Sequence, residues 1–380
     1  MTVVNELTVL LSKLFMKEEI FGPVKMEEIK LPMNEPEKQN NNKEIKETKR
    51  PSFSLEYYPK GLANLGNTCF FNSSMQLMNA SDSFVQGVFN RKCKKGLNCE
   101  LFNFFTTMRS SKGSTVFNPS SFHHSVRSAT KKFTSFSQED SNDLILSILD
   151  TCIEEDKAIL MSSKEEKRKL HAFLKTGIGS TVAFYLAGQV TCLECKFEDW
   201  VFDPCLDLAL PLSYTEDILI VESDFIKTQV MLPECRARKA GKYDIAYKRI
   251  GGIKELRNIS VKDYIKHFMA LEALYDKSNL FKCPKCKKPV KSHHQFMMLD
   301  PPDCLFVSLK RFKRDGFMVR KNGKSIANDL VLDLTNYVIQ EAGVVNRYVY
   351  KLVGFTNHGG SLSGGHYTAY VRNGDKYTNK

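Results

Sequence analysis

Val4, Leu7, Leu11 and Leu14, with Leu10 beside them, recur at helical spacing and predict a short amphipathic helix over residues 3–15. So short a helix is marginal alone and needs a domain surface or a partner to hold it. From Asn34 to Arg50 the chain is almost all Asn, Glu, Lys, Gln and Thr. A stretch that polar cannot offset its own ordering entropy and reads as a disordered linker. The folded part is expected to begin near Phe53. Between Gly61 and about Gly188 the signals are mainly helical: Leu144, Ile145, Ile148, Leu149 and Cys152 share one helix face, and Ser163 to Leu174 reads as a charged, exposed helix. Val201 to Leu212 and Gln295 to Phe312 are rich in strand formers, and Arg347 to Val371 alternates apolar with polar residues. Ser213 to Asn258 carries few signals and two basic clusters, and reads as an insertion. No repeat at solenoid periods is found. A helical front followed by a β-rich back predicts an α+β fold, with an N-terminal extension over 1–52 and a folded unit over 53–380.

At 380 residues the chain is long enough for a sizeable core. Nowhere do 18 apolar residues run together, so no membrane-spanning helix and no membrane partner are expected. Met1 to Phe15 has Glu6 inside its apolar stretch and lacks a basic start, unlike a secretory signal. The net charge of +12 comes from lysines scattered throughout, which suits a solvated surface better than a specific nucleic-acid site. Eleven cysteines, an odd number, favour a reducing cytoplasmic or nuclear setting, where cysteines bind metal or do chemistry.

The most informative stretch is Gly61-Leu62-Ala63-Asn64-Leu65-Gly66-Asn67-Thr68-Cys69-Phe70-Phe71-Asn72. Thr68 is a good N-cap, and Phe71, Met75 and Met78 then space like a helix, so Cys69 falls at its first position. There the macrodipole stabilises a thiolate, and backbone N–H groups without intrahelical partners can face an oxyanion. Asn64, in the loop before it, offers a side-chain donor to the same hole. The competing reading is a buried structural cysteine. A base must come from elsewhere in the chain. His123, His124, His171 and His267 lie in polar or helical text and read as surface groups. His366 follows Gly364-Gly365 and opens the alternating strand Tyr367-Thr368-Ala369-Tyr370-Val371, where two glycines admit a substrate backbone.

Together these blocks resemble the ubiquitin-specific proteases, the papain-like deubiquitinating enzymes. The Cys box is Gly61 to Gln76. The His box is Tyr350-Lys351-Leu352-Val353-Gly354-Phe355, His358-Gly359-Gly360 and Gly364-Gly365-His366-Tyr367. Gln138-Glu139-Asp140-Ser141-Asn142-Asp143-Leu144 and Leu309-Lys310-Arg311-Phe312 resemble two further family blocks. The chain departs at Glu139, where the family usually has a second Gln, and at Asn142-Asp143, often His-Glu. The resemblance covers about residues 60–380. It implies Cys69 as nucleophile, His366 as general base and Asn64 as oxyanion donor. It also implies a hand of thumb (60–188), fingers (189–300, with the insertion at 213–258) and palm (301–380). Ubiquitin's tail, Leu-Arg-Leu-Arg-Gly-Gly, would thread between thumb and palm past Gln138, Asp140, Asp143, Gly365 and Tyr367. Asp140 and Asp143 could meet its arginines, or simply stabilise a helix start.

Cys192-x-x-Cys195 and Cys283-x-x-Cys286 are two thiolate pairs, together a standard ligand set for structural zinc. In the resembled family such pairs tie the fingertips. His293, His294, Cys205 and Cys235 are alternative ligands for a mixed site, and a metal-free site is the remaining option.

Asn373-Gly374 is a strong two-residue hairpin signal and predicts Val371 and Arg372 paired with Lys376 and Asp375. In that register His366 faces position 381, with Asn379 diagonal to it. The family's third catalytic residue falls four after a Trp whose place Tyr377 takes, again 381, so this chain is expected to be weakly active or inactive. The sequence thus predicts a monomeric, thiol-dependent ubiquitin hydrolase acting on ubiquitinated proteins. The alternatives are a zinc-braced ubiquitin receptor without turnover, or a protease for another modifier with a Gly-Gly tail.

Overall fold

A computed structural model of the chain describes residues 8–17, 24–25, 60–90, 95–110, 116–134, 138–160, 176–212, 218–222, 246–250, 259–315, 318–340, 344–360, 364–373 and 376–379. It opens with strands β1 (Thr8–Lys17) and β2 (Val24–Lys25). Six helices follow: α1 (Cys69–Asn79), α2 (Asp82–Phe89), α3 (Leu97–Ser110), α4 (Ser120–Thr130), α5 (Ser141–Leu160) and the single turn α6 (Gly179–Val182). Next come β3 (Phe184–Cys192), β4 (Glu198–Cys205), β5 (Asp207–Pro211), β6 (Ile218–Glu222) and β7 (Ala246–Ile250). Helix α7 (Val261–Phe268) precedes β8 (Glu272–Leu274), β9 (Phe281–Cys283), β10 (Lys288–Val290) and β11 (Ser292–Leu299). Then follow β12 (Cys304–Lys310), β13 (Phe312–Asp315), β14 (Met318–Lys321), β15 (Val331–Asp333) and β16 (Val344–Val345). The last strands are β17 (Val349–Gly360), β18 (Gly365–Asn373) and β19 (Lys376–Asn379).

A seven-stranded sheet in the order β19-β18-β17-β1-β12-β5, with β15 also on β17, is the central layer. The helices α1 to α6 cover one face, where Phe71, Phe84, Phe105, Ile148 and Leu149 pack with Phe306. Helix α7 covers the other, packing Val261, Tyr264 and Ile265 on Leu208, Leu210 and Val307. Each such fully buried aliphatic or aromatic side chain contributes about 1.5–3 kcal/mol. A six-stranded sheet, β4-β3-β11-β8-β6-β7, extends from the first and carries the β9–β10 hairpin near its tip.

Of the N-terminal helix expected over 3–15, residues 8–15 are instead part of strand β1, which is built into the central sheet. It is antiparallel to both neighbours, with Leu14 opposite Phe306 on β12 and Gly354 on β17. Leu14 joins the core beneath the helices and Phe15 the core beneath α7. A strand buried on both faces needs apolar residues on both, so its pattern has no period of two and is easily taken for a helix. Tertiary pairing, not local propensity, decides here. Residues 218–222 and 246–250 of the expected insertion are likewise strands of the second sheet. The linker at Asn34–Arg50, the boundary near Phe53 and the helix at Ser163–Leu174 lie outside the described residues. His267 is buried on the inner face of α7, and His123 packs edge-on against Phe71 at 4.9 Å; neither is the surface group its text suggested. Among the described residues no helix is long and apolar enough to cross a membrane.

Next to Leu14, Lys13 is fully buried, its Nζ donating to Ala327 O at 3.3 Å. Burial lowers its pKa to about 7, with Asp329 opposing and Arg311 adding to the shift. Because the folded pKa lies below the unfolded one, the unfolded chain holds the extra proton from about pH 7 to about 10.5. Stability therefore rises with pH across that window. Lys13→Met should flatten the rise and raise stability at neutral pH by up to ~4 kcal/mol. Urea unfolding followed across the window checks this, and an unchanged slope in Lys13→Met assigns it to another group.

Candidate active site

The loop before α1 is built around one amide. The oxygen Oδ1 of Asn64 accepts from Gly66 N (3.1 Å), Thr68 N (3.3 Å) and the Thr68 hydroxyl (3.0 Å). Gly66 and Asn67 take the left-handed conformation, φ +94° and +50°, which the turn requires and which Gly and Asn adopt most easily. Asn72 of α1 clamps the loop from below, Nδ2 donating to Leu62 O and Ala63 O at 3.3 and 3.1 Å. Thr68 stands at the N-cap, yet its hydroxyl faces the loop and makes no bond to the helix. The first intrahelical bond is Asn72 N to Thr68 O, so the N–H groups of Cys69, Phe70 and Phe71 have no acceptor within the helix. With Oδ1 held by three donors, the Asn64 amide is oriented: its Nδ2 is the outward group, an N–H donor. Cys69 itself is the first residue of α1 and 6% exposed.

The strand that carries His366 lies against this helix. A side-chain carbon on Gly354 of β17 would fall 3.0 Å from Leu77 of α1, so helix and sheet meet at glycine distance. His366 is exposed on β18, opposite Gly359, and Tyr367 beside it is buried. One side chain spans the two elements. Gln138 Nε2 stands 3.8 Å from Cys69 Sγ and donates to Gly365 O, the carbonyl before His366. Tyr367 has its pKa raised, chiefly by burial and then by the Asp140 charge, so its hydroxyl stays protonated.

Of the expected groove residues, Asp140 caps α5: its carboxylate accepts from Asn142 N (2.6 Å) and Asp143 N (3.3 Å), while burial raises its pKa. Asp143 is exposed, 3.7 Å from Lys132. Both line an open groove of about 520 Å³ between α5 and the strands β5 and β12. Asp207 of β5, which sequence reasoning missed, stands in its wall and accepts from Asn142 Nδ2 (3.2 Å) and Ser308 Oγ. The available signal was its alternation with Leu208 and Leu210, which puts Asp207 and Ala209 on the opposite face of β5.

At the far end, Cys192, Cys195, Cys283 and Cys286 bring their sulfurs within 4.8 Å of one another. Two turns of the same build present them. Cys195 N points at Cys192 Sγ and Cys286 N at Cys283 Sγ, both at 3.4 Å. Lys196 and Lys287 follow with φ +58° and +55°. The cross-pair distances are 3.9 Å for Cys192 to Cys286 and 3.6 Å for Cys195 to Cys283. Four sulfurs ~2.3 Å from one tetrahedral ion stand ~3.8 Å apart, so the donor set fits zinc. Burial raises the Cys192 thiol, but hydrogen bonds from the N–H and thiol of Cys195, the N–H of Glu194 and the Cys283 thiol outweigh it and take it down to about 7. The alternative ligands lie elsewhere: His293 pairs with the Tyr275 hydroxyl at 3.3 Å, His294 faces Glu272, and Cys205 lies beside Asp203 O. Cys235 is outside the described residues.

The β18–β19 register differs from the expected one by two residues. Asn373 closes the hairpin with Lys376, and Val371 pairs with Thr378. Asn379 then stands opposite Tyr370 and is not diagonal to His366. Among the described residues none lies directly across β19 from His366.

The family model for ubiquitin carboxyl-terminal hydrolase matches residues 60–379. Human ubiquitin carboxyl-terminal hydrolase 2 is 25% identical over 339 residues, covering 82% of this chain and 49% of that protein. The probable ubiquitin carboxyl-terminal hydrolase 16 of Schizosaccharomyces pombe is 24% identical over 326 residues, covering 82% and 59%. The chain thus spans about half the length of these relatives. The SAGA Ubp8/Sgf11/Sus1/Sgf73 DUB module bound to ubiquitin aldehyde aligns with a TM-score of 0.58 and 19% identity, over 86% of this chain and 65% of that one. The two share the α+β, papain-like fold.

The glycines before His366 differ sharply in tolerance. A carbon on Gly365 would fall 2.4 Å from both Gly359 O and His358 Nε2, whereas one on Gly364 meets nothing within 4 Å. Gly365→Ala should cost about 1–3 kcal/mol of stability and Gly364→Ala far less, read by thermal unfolding. Equal losses would show that the strand pairing beside His366 is looser than described.

Proposed function

The chain belongs to the ubiquitin carboxyl-terminal hydrolase family, and on that premise we propose that it is a thiol-dependent deubiquitinase cleaving isopeptide or peptide bonds after ubiquitin's C-terminal glycine. The observation that carries this is Gln138, whose amide touches Cys69 Sγ and Gly365 O and so joins the helix N-terminus to the His366 strand. Cys69 attacks the glycine carbonyl. The backbone N–H of Cys69 and Nδ2 of Asn64 hold the oxyanion, since both are donors with no acceptor within the helix or loop. His366 takes the Cys69 thiol proton as the sulfur attacks and gives it to the departing lysine amine; it then draws a proton from the water that cleaves the thioester and returns it to the Cys69 sulfur as the ubiquitin carboxylate leaves. The tail enters along the groove, where Asp143 and Asp207 offer carboxylate oxygens to its arginines. Tyr367, buried beside Asp140, and Gly365 shape the narrow end, and Gln138 holds the two walls together.

Cys192, Cys195, Cys283 and Cys286 are assigned as the ligands of one structural zinc ion, supported by their sulfur spacing. The ion would brace the fingertips and takes no part in the chemistry. Ubiquitin and ubiquitinated proteins are the partners, met by a monomer in a reducing cytoplasmic or nuclear compartment.

Three variants test the chemistry on a ubiquitin C-terminal amide reporter. Cys69→Ala should abolish turnover and leave ubiquitin binding intact; residual activity above about one thousandth of the parent places the nucleophile elsewhere. Asn64→Asp keeps the acceptor that orders the loop, loses the outward donor and adds a negative charge where the oxyanion forms. It should lower kcat by about 10²–10³ with little change in KM. Asn64→Ala should show the same loss together with a lower Tm. A change confined to KM removes Asn64 from the oxyanion role. Metal analysis of protein purified without chelator should find one zinc per chain, lost in Cys192→Ser and Cys286→Ser with lower stability. No zinc in the parent contradicts the assignment.

A further inference from the structure

At the far end of β17 three acceptors converge on one nitrogen. Lys321 Nζ, on the last residue of β14, stands 2.7 Å from His358 Nδ1, 3.2 Å from His358 O and 3.0 Å from Gly360 O. An ammonium has three protons and no lone pair, so three acceptors saturate it. Nδ1 must then be bare, and the His358 ring carries its proton on Nε2. The ring is 4% exposed and tilted over Tyr367, 4.5 Å between centroids, which fixes its plane. Its Nε2 abuts Gly365: the 2.4 Å clearance there leaves no room for a side chain. Among the described residues Nε2 has no hydrogen-bond partner. The Nε2 proton therefore lies beside the glycine that precedes His366, where the deubiquitinase reading passes the substrate's own Gly-Gly backbone.

We propose that Lys321 is a positioning residue, fixing His358 in its Nε2–H form so that this N–H donates to a backbone carbonyl of the substrate's terminal Gly-Gly. The inference rests on the function proposed above and adds a specificity element to it. A neutral N–H donor suits an amide carbonyl with no side chain beside it. Charge is kept out of the cleft as well. His358 is lowered to about 4 by burial, by Lys321 and by His366, so it does not oppose the imidazolium that His366 must form. A protonated ring would face Lys321 and His366, with the neutral Tyr367 tilted over it.

Two measurements on the whole chain decide this. Nitrogen NMR of histidine-labelled protein reads the His358 tautomer without substrate. The parent should show Nε2 protonated and Nδ1 bare. Lys321→Met should give a mixture, and Lys321→Arg should restore the parent form. Turnover of the ubiquitin reporter then gives a double-mutant cycle. Lys321→Met should lower kcat/KM about tenfold, the scale of one hydrogen bond, and should cost nothing further in a His358→Ala background. A proton on Nδ1 in the parent, an unchanged tautomer in Lys321→Met, or losses that multiply in the double variant each overturn the proposal. Should the parent bind ubiquitin without turnover, the function reading fails, and the tautomer measurement still decides what Lys321 does.

Discussion

The structure depends on holding the N-terminus of one helix against a strand from the opposite end of the chain. Cys69 begins α1, and His366 lies almost 300 residues later on β18. Buried hydroxyls tie the intervening elements together. Ser74 of α1 donates to Ser141 O at the start of α5, and the Ser141 hydroxyl meets that of Thr356 on β17 at 3.3 Å. Gln138, just before α5, completes the contact at Cys69 and Gly365. Glycine at 354 makes the close packing possible, because any side chain there would collide with Leu77 and with Tyr370 O. The proposed nucleophile and base are thus carried on two elements that already pack against each other, and such positioning is the geometric part of catalysis.

The sheet behind that contact is completed by strand β1. Between β12 and β17 lies β1, which satisfies the backbone groups of both neighbours and buries Leu14 and Phe15 on opposite faces. The strand also brings a lysine into the core. Lys13 is the cost of this arrangement, desolvated beside Arg311 and relieved, among the described residues, by Ala327 O and the charge of Asp329. The two cores and the strand that bears His366 are thus coupled through one short element.

Much of the site is written in local signals. Glycine and asparagine at 61–67 followed by helical spacing announce the turn and place Cys69 at a helix start. The paired Cys-x-x-Cys turns carry their geometry with them, whatever the chain between them does. The helix face of Leu144 to Cys152 is plain from its period. Other features depend on what the fold brings together. The strand at 8–17 carries leucines that fit a helix equally well, and only the vacancy between β12 and β17 decides. The hairpin after β18 has two acceptable glycine-centred turns, one residue apart in position and two in register. Asn64 could be named as a donor, yet which of its ends faces outward depends on Gly66 and Thr68. Asp207, and Lys321 beside His358, have no local signature, because their meaning lies wholly in their neighbours.

The central claim is that the thiol at the start of α1, beside the His366 strand, is the group that receives ubiquitin's C-terminus. Treating the whole chain with ubiquitin whose terminal glycine carries a thiol-reactive electrophile, then mapping the adduct by peptide mass spectrometry, tests it most directly. The account predicts a single ubiquitin adduct, on Cys69, that is blocked by prior denaturation. An adduct on any other cysteine, or none while Cys69 still reacts with a small alkylating agent, would contradict it.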